Sequence, residues 1–419
     1  MSIKVCDAPM GSGKTSAAIR MMNQNPDRKY LFVTPYLKEA ERITACCPLL
    51  HFKEPVSYDV RTKQKTKAQN IKRLLRDGSN VVTTHALFSL FDDETIALVE
   101  KYQYTLILDE VLQVIEKITI DPDDVSILTE MGIIKSDVGC LRWVGGDYKD
   151  YGDTTQAGKC MDIRKMMQSG RLWEYKGNTY IHFADAFAFQ KFRDVYILTY
   201  MFEAQDHCAL FKLQNVDYQY IGVDGAKGEY FFTDDPTCGN KVLKGCKDKI
   251  HFVDDNRNND VGNNKYSLSV ASYRRGSDLL CDTIRRRSQY MRIRGFNSGK
   301  TISSKEIMWT CFKIPAQKIR GFGLSSGEKQ GNFVPCNARA ENRWSDRHYL
   351  IYLVNRFPDT MSKNFFQMHN IELNDDDFAL SEMVQWIWRS AIRNGEDIWI
   401  YIPSSRMRRL LETWLEKVS

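Results

Sequence analysis

The chain has 419 residues, enough for two or three domains, and 43% of them are hydrophobic, so a sizeable core is available. No apolar run approaches the roughly 18 residues of a membrane span, which excludes a helical anchor, and the N-terminus runs straight into an apolar strand with no secretory leader expected. The net charge of +6 favours an acidic partner, and eleven scattered cysteines without a C-x-x-C pair argue for reduced thiols in a cytoplasmic compartment.

The chain opens with Lys4-Val5-Cys6, which has the character of a short buried strand. It runs into APMGSGKTS, from Ala8 to Ser16, and then into a helix whose apolar positions Ala18, Ile19 and Met22 keep helical spacing. Strand, glycine loop and helix are the context of a P-loop. Gly11, Ser12, Gly13, Lys14, Thr15 and Ser16 are expected to cradle phosphates with backbone N–H groups at the positive helix end. Lys14 is expected to reach the β/γ-phosphates of ATP, and the Thr15 hydroxyl to ligate Mg²⁺. Ala8 stands where the general pattern has glycine, at a position away from the phosphates.

Strands are predicted at Tyr30–Thr34, Asn80–Thr83, Tyr104–Leu108 and Tyr196–Tyr200, with helices at Leu37–Ala45 and from about Lys63 to Arg76. Alternation of this kind indicates a parallel sheet covered on both faces, with ligands collecting at the carboxyl ends of its strands. Asp109-Glu110 follows the most apolar of these strands. By itself such a pair also suits a helix N-terminus. Downstream of a P-loop it reads as Walker B, with Asp109 holding Mg²⁺ and Glu110 orienting the attacking water. Residues from about 111 to 194 read as an insertion, with a hairpin at Leu172–Phe183 and a polar loop at Asp147–Gly152.

The second half, from Gln205, carries a solvated loop at Asp254–Asn264. A helix is expected from Gly276 to Arg294, ending in Arg285, Arg286, Arg287, Arg292 and Arg294. That cluster is either a solvated face or a contact for a phosphate backbone. Strands are expected at Glu306–Phe312 and Asp397–Ile402, and a closing helix at Ser404–Lys417. Gln385, Arg389 and Arg393 fall at i, i+4 and i+8, one stripe of a helix. Such a stripe is either a surface pair of arginines beside packing tryptophans or a source of an arginine finger.

Taken in order, these blocks resemble superfamily 2 helicases of the DEAD-like type, especially compact forms from phage or viral replication. APMGSGKTS resembles motif I, FVTPYLKEAERI motif Ia, VVTTHALF motif Ib, LILDEVL motif II, LTYMF motif III, FVPCNARAENRW motif V and QWIWRSAIR motif VI. Motif II lacks the usual Asp or His in fourth place, and the two arginines of motif VI are four apart rather than three. The resemblance implies an α/β fold of two RecA-like P-loop domains with parallel sheets, residues 1–204 and 205–419, the first carrying the insertion. ATP would lie between them, with Gln385, Arg389 and Arg393 supplied across the cleft. It further implies contacts to single-stranded or forked nucleic acid, DNA by preference, through Thr34, Pro35, Thr84, His85, Asn337 and Arg339, with Arg286 and Arg287 as added phosphate contacts. Replication proteins are possible partners, no membrane is, and the host cytoplasm is the setting for a viral protein. Two alternatives stand beside a helicase or translocase: an ATP-gated loader that unwinds little, and a packaging-type motor, for which no appended nuclease is visible.

Overall fold

The computed structural model describes residues 2–35, 37–57, 66–137, 139–145, 164, 166–176, 179–226, 229–254, 261–296, 299–325, 331–338 and 343–418. Four strands come first: β1 (Ile3–Asp7), β2 (Tyr30–Thr34), β3 (Val81–Thr84) and β4 (Thr105–Asp109). The chain then leaves for β5 (Ile115–Thr119), β6 (Ile134–Asp137), β7 (Cys140–Trp143), β8 (Leu172–Lys176) and β9 (Thr179–Phe183). It returns in β10 (Asp194–Thr199), β11 (Gln219–Asp224) and β12 (Phe231–Thr233). The first sheet has seven strands in the order β12-β11-β1-β10-β4-β2-β3, parallel throughout except for the β11–β12 edge.

Leu31, Phe32 and Val33 of β2 and Leu106, Ile107 and Leu108 of β4 are all fully buried. Helices on both faces demand such unbroken apolar strands. The register sets Asp7 beside Thr199, Leu198 beside Asp109, and Thr34 beside Thr84. Five sequence-distant motifs therefore end at one edge of one sheet, the carboxyl edge where ligands bind in such folds.

The insertion is a separate antiparallel sheet, ordered β5-β9-β8-β7-β6, with a helix at Pro122–Glu130. In β5 only Ile115 is buried and Ile118 half-buried, while Glu116, Lys117 and Thr119 are exposed. The predicted hairpin is β8 and β9, with Trp173 opposite Ile181. The expected loop at 147–152 and the turn at 177–178 lie outside the described residues, as do 63–65 and 255–260.

The second domain is built on a four-stranded parallel sheet in the order β13-β16-β15-β14, from β13 (Ile250–Phe252), β14 (Ile307–Thr310), β15 (Tyr349–Tyr352) and β16 (Ile398–Tyr401). The first sheet reaches past the expected boundary at 204/205, because β11 pairs with β1 and carries β12 as its edge. Segment 360–373 also crosses that boundary in space. Phe365, Phe366 and Leu373 bury in the core of the first domain, and Phe365 meets Trp173 and Phe183 of the insertion.

Two helices differ from expectation. The basic helix starts at Val270, six residues early, because the Ser269 hydroxyl accepts from the Ser272 N–H and caps it there. It ends at Tyr290 in a π turn, Met291–Gly295. The motif VI helix spans Asp375–Ile387 and stops there. Gln385 is on it, but Arg389 follows its end and Arg393 sits in a 3₁₀ turn, Ala391–Asn394. The three residues thus do not form one helical stripe. Among the described residues, no helix is long and apolar enough to cross a membrane.

Candidate nucleotide site and domain cleft

The glycine loop joins β1 to a helix at Lys14–Gln24. Gly13 precedes the helix with φ of +93°, in the left-handed region, and an added Cβ would lie 2.2 Å from the Tyr230 ring. Conformation and space both demand glycine here. The first helical turn carries no acidic side chain, so its free N–H groups present positive charge to the loop. Lys14 lies across the loop and donates to the Ala8 carbonyl and, at 2.9 Å, to the Pro9 carbonyl. Burial lowers its pKa, opposed chiefly by the negative charge of Glu110.

The Thr15 hydroxyl donates to Asp109 Oδ1 at 3.3 Å, bringing motifs I and II together across 94 residues of sequence. Burial, then the charges of Glu110 and Glu39, push the Asp109 carboxyl up to about 7, while Lys14 and Thr15 pull it down. A hydroxyl beside a carboxylate is a hard oxygen donor pair, and the surplus negative charge suits a divalent cation such as Mg²⁺, which commonly takes one or two carboxylates plus phosphates. Glu110 turns the chain sharply, with φ of +67°, and is pinned by its N–H to the Leu198 carbonyl at 2.9 Å. That is a costly backbone for a non-glycine residue, of the kind that gathers at functional sites. One Glu110 carboxylate oxygen, Oε2, is buried without a hydrogen-bond partner among the described residues.

The second domain closes over this edge. Met10 of the glycine loop, Tyr200 and Met201 pack against the second domain's core. Trp414 Nε1 donates to the Tyr200 hydroxyl at 3.3 Å, and Gln205 Nε2 to Ser381 Oγ at 2.7 Å. Gln385 is buried and donates to the same Ser381 oxygen at 3.2 Å. Arg389 is buried too, and its guanidinium donates to the carbonyl of Ala338 in the motif V segment. Arg393 keeps an exposed edge while part of its side chain is desolvated, and it lies within electrostatic reach of Glu39 and Arg42 on helix Leu37–Cys46 of the first domain. Its pKa is lowered by burial and then by the charge of Arg42, with Glu39 opposing. Arg42 pairs with Glu39 at 2.6 Å, and Glu39 is also felt at Asp109. Glu39 thus acts electrostatically both on Asp109 of its own domain and on Arg393 of the second.

The residues expected to touch nucleic acid are more dispersed. Thr34 is fully buried, its hydroxyl without a partner among the described residues, and Pro35 is half-buried beside it. The Thr84 hydroxyl accepts from the Leu87 N–H at 3.4 Å and caps a short helix. His85 points inward, its Nε2 donating to the Asp109 carbonyl at 2.8 Å. Arg286 is exposed, with Nε on the Asp282 carbonyl at 3.3 Å, and Arg287 is half-buried. Within that cluster Arg285 pairs with Asp282 at 2.8 Å, and Arg292 donates to the carbonyls of Ile302, at 2.7 Å, and Phe322. Those two arginines hold structure. Asn337 is exposed, and Arg339 lies outside the described residues.

Two residues of the site escape sequence reading. Asp7 closes β1 and accepts from the N–H groups of Met201, at 2.7 Å, and Phe202, at 2.9 Å, clamping the chain after motif III to the P-loop strand. An acid ending an apolar strand was the visible signal. Tyr230, against Gly13, carried none, because strand pairing alone brings it there.

One relative decides the family. The SPbeta prophage-derived uncharacterized protein YonV of Bacillus subtilis (strain 168) is 35% identical over 426 residues, covering 99% of this chain and 98% of the relative. The chain belongs to the YonV family. The YonV C-terminal Rossmann-like domain matches residues 244–415, the unit built on β13 to β16. Among solved structures, XPD helicase aligns with this YonV-family chain over 100% of its length and 94% of that chain, at 10% identity and a TM-score of 0.49. The S. tokodaii Xpd4 structure aligns over 99% and 94%, at 12% identity and a TM-score of 0.44.

Proposed function

We propose that this YonV-family chain is an ATP-dependent helicase or translocase acting on nucleic acid, DNA by preference, in phage replication or recombination. The observation that carries the reading is the meeting of Thr15 and Asp109 at 3.3 Å, beside the open carboxylate oxygen of Glu110, under a second domain whose core takes in Met10 of the glycine loop. The ordered motifs that resemble superfamily 2 helicases support it independently.

In this reading Lys14 and the helix N–H groups bind the β/γ-phosphates, and Thr15 with Asp109 holds Mg²⁺. When bound, the ion supplies charge neutralisation for the leaving phosphate. Glu110 orients the attacking water with its open oxygen, its backbone fixed by the Leu198 contact. Arg393 stabilises charge that develops on the γ-phosphate when the cleft closes. Gln385 and Arg389 order the second domain's side through Ser381 and Ala338. Cleft opening and closing moves Pro35 and Thr84–His85 relative to the motif V segment, and so steps a strand along.

An ATP-gated loader is the second reading, favoured by the burial of Phe365 and Phe366 in the first domain's core, which ties the two domains together. ATP hydrolysis measured with and without single-stranded DNA, alongside strand displacement on forked and blunt duplexes, tests both. Stimulated hydrolysis with displacement fits a helicase. Nucleotide-dependent DNA binding without displacement fits a loader. Absence of nucleotide-dependent behaviour in every arm rejects the proposal.

A further inference from the structure

Sheet order gives the P-loop two unlike flanks. On one side of β1 lie β10 and β4, which bring Asp109 to the Thr15 hydroxyl. On the other lie β11 and β12, and the residue entering β12 is Tyr230. Its ring sits against Gly13, in the space an added Cβ would need, at 2.2 to 2.5 Å from three ring carbons. The ring is half-exposed, and its neighbours are fixed. Phe232 stacks on Tyr196 at 5.3 Å, and Arg20 of the P-loop helix lies 6.0 Å from the Phe231 ring. Opposite Phe231, at the turn end of the hairpin, Asp224 pairs with Lys241 at 2.8 Å.

The turn beyond β12 closes the same flank. Gly239 packs so tightly on the loop that an added Cβ would lie 2.7 Å from the Ala8 Cβ and 3.6 Å from the Ser12 Cβ. The Ser12 hydroxyl is buried there, 3% exposed, without a partner among the described residues. The loop is thus walled on the β12 side by an aromatic ring and a glycine contact, with an unsatisfied hydroxyl between them.

A nucleoside triphosphate has one polar end and one aromatic end. If the terminal phosphates lie at the Thr15–Asp109 end, the nucleoside must leave the loop on the opposite flank. We infer that Tyr230 is the platform on which the nucleotide base stacks, an affinity-determining residue supplied by the β11–β12 hairpin. The inference rests on the P-loop reading above. An aromatic face binds any base through its π-surface, so the wall contributes affinity with weak discrimination among purines.

The experiment compares two probes on the full chain: ATP, which has a base, and inorganic triphosphate, which has none. Both are titrated with Mg²⁺ present against wild type, Tyr230→Ala, Tyr230→Leu and Tyr230→Phe. Loss of the ring should weaken ATP about tenfold in both the Ala and Leu variants, while Phe stays within about twofold of wild type. Triphosphate affinity should be the same in all four proteins, which also shows that the variants fold and keep the loop intact. Equal losses for ATP and triphosphate would overturn the inference and leave Tyr230 as a prop for Gly13. Unchanged ATP affinity in Tyr230→Ala would overturn it as well. Failure of wild type to bind either probe would instead remove the P-loop reading, and the inference with it.

Discussion

The two parallel sheets share a plan and end differently. Beyond the carboxyl end of the second sheet, charges are paired with one another. Arg406, only 3% exposed, donates to Asp376 at 2.8 Å, to Asn355 Oδ1 at 2.7 Å and to the carbonyls of Arg356, at 2.8 Å, and Asp375, at 2.7 Å. Arg356 pairs in turn with Glu382 at 3.0 Å. Beyond the first sheet, an oxygen of Glu110 and the hydroxyls of Ser12, Thr34 and Thr199 are buried without partners among the described residues. The second edge has orphan atoms too, the hydroxyls of Thr310 and Tyr352 and the Nε of Arg356, so the contrast lies in the Glu110 carboxylate and in the glycine loop. A buried polar group left unpaired costs about 1–3 kcal/mol. A fold tolerates several at one edge when a ligand completes them. The closed network fixes a shape, and the open one waits for a partner.

The sharpest way to break this contrast is to remove the open charge. Glu110→Gln keeps size and hydrogen bonding but cannot orient water as a carboxylate does. ATP binding should survive, and kcat should fall by about 10³ to 10⁴. Binding and steady-state hydrolysis measured on one preparation decide it, and wild-type turnover would show that the open oxygen has no catalytic part.

The arginines come next, because their surroundings differ. Arg393 lies within electrostatic reach of Arg42 and Glu39 of the first domain, whereas Arg389 is tied to the Ala338 carbonyl of its own domain. Arg393→Ala should lose about 10³ in kcat while keeping ATP affinity within severalfold. Arg389→Ala leaves a buried carbonyl unsatisfied, so it should lower stability by about 1–3 kcal/mol and turnover far less. Single-turnover hydrolysis with saturating single-stranded DNA, read beside a denaturation curve, separates them. Collapse of turnover in Arg389→Ala at unchanged stability would exchange their roles.

A fourth substitution tests the closed side. Arg406→Ala strips a partner from Asp376 and Asn355 and should cost about 3 kcal/mol of stability. ATP affinity of the protein that remains folded should stay within about twofold of wild type. A large loss of affinity would show that the second edge also serves the nucleotide.

Legibility in the sequence follows the same division. The P-loop, Asp109-Glu110 and the parallel sheet were readable because strand, glycine loop and helix leave a local pattern, and because β4 is one unbroken apolar run. The break at Ile387 was not readable. The Trp386, Ile387, Trp388 run continues the helical pattern, and only tertiary contacts, such as Trp386 Nε1 to the Val334 carbonyl at 3.1 Å, end it there. Pairings across long stretches of chain, such as Tyr230 on Gly13 or Phe365 in the first domain's core, leave no local trace at all.

The smallest expected effect concerns a group that is open but apolar in setting. His207 is fully buried beneath the first sheet's edge, ringed by Phe189, Phe202 and Phe211 at 4.8 to 5.9 Å, with neither ring nitrogen partnered among the described residues. Burial, helped by the nearby His85, holds its pKa down to about 3. A histidine depressed in the folded state binds its proton in the unfolded chain first. Its contribution to stability is therefore complete above the unfolded value near 6.5 and is lost as pH falls from there toward 3. The expected limiting slope is about 1.4 kcal/mol per pH unit. His207→Phe removes the titration and keeps an aromatic ring in the same cage. At pH 7 the variant should lie within about 1.5 kcal/mol of wild type. Between pH 6.5 and 4 it should lose less stability than wild type, and urea unfolding midpoints along that range measure the difference. Parallel pH profiles for the two proteins would mean that His207 takes up its proton while folded, which would place an unseen hydrogen-bond partner in the cage and move it into the class of satisfied groups.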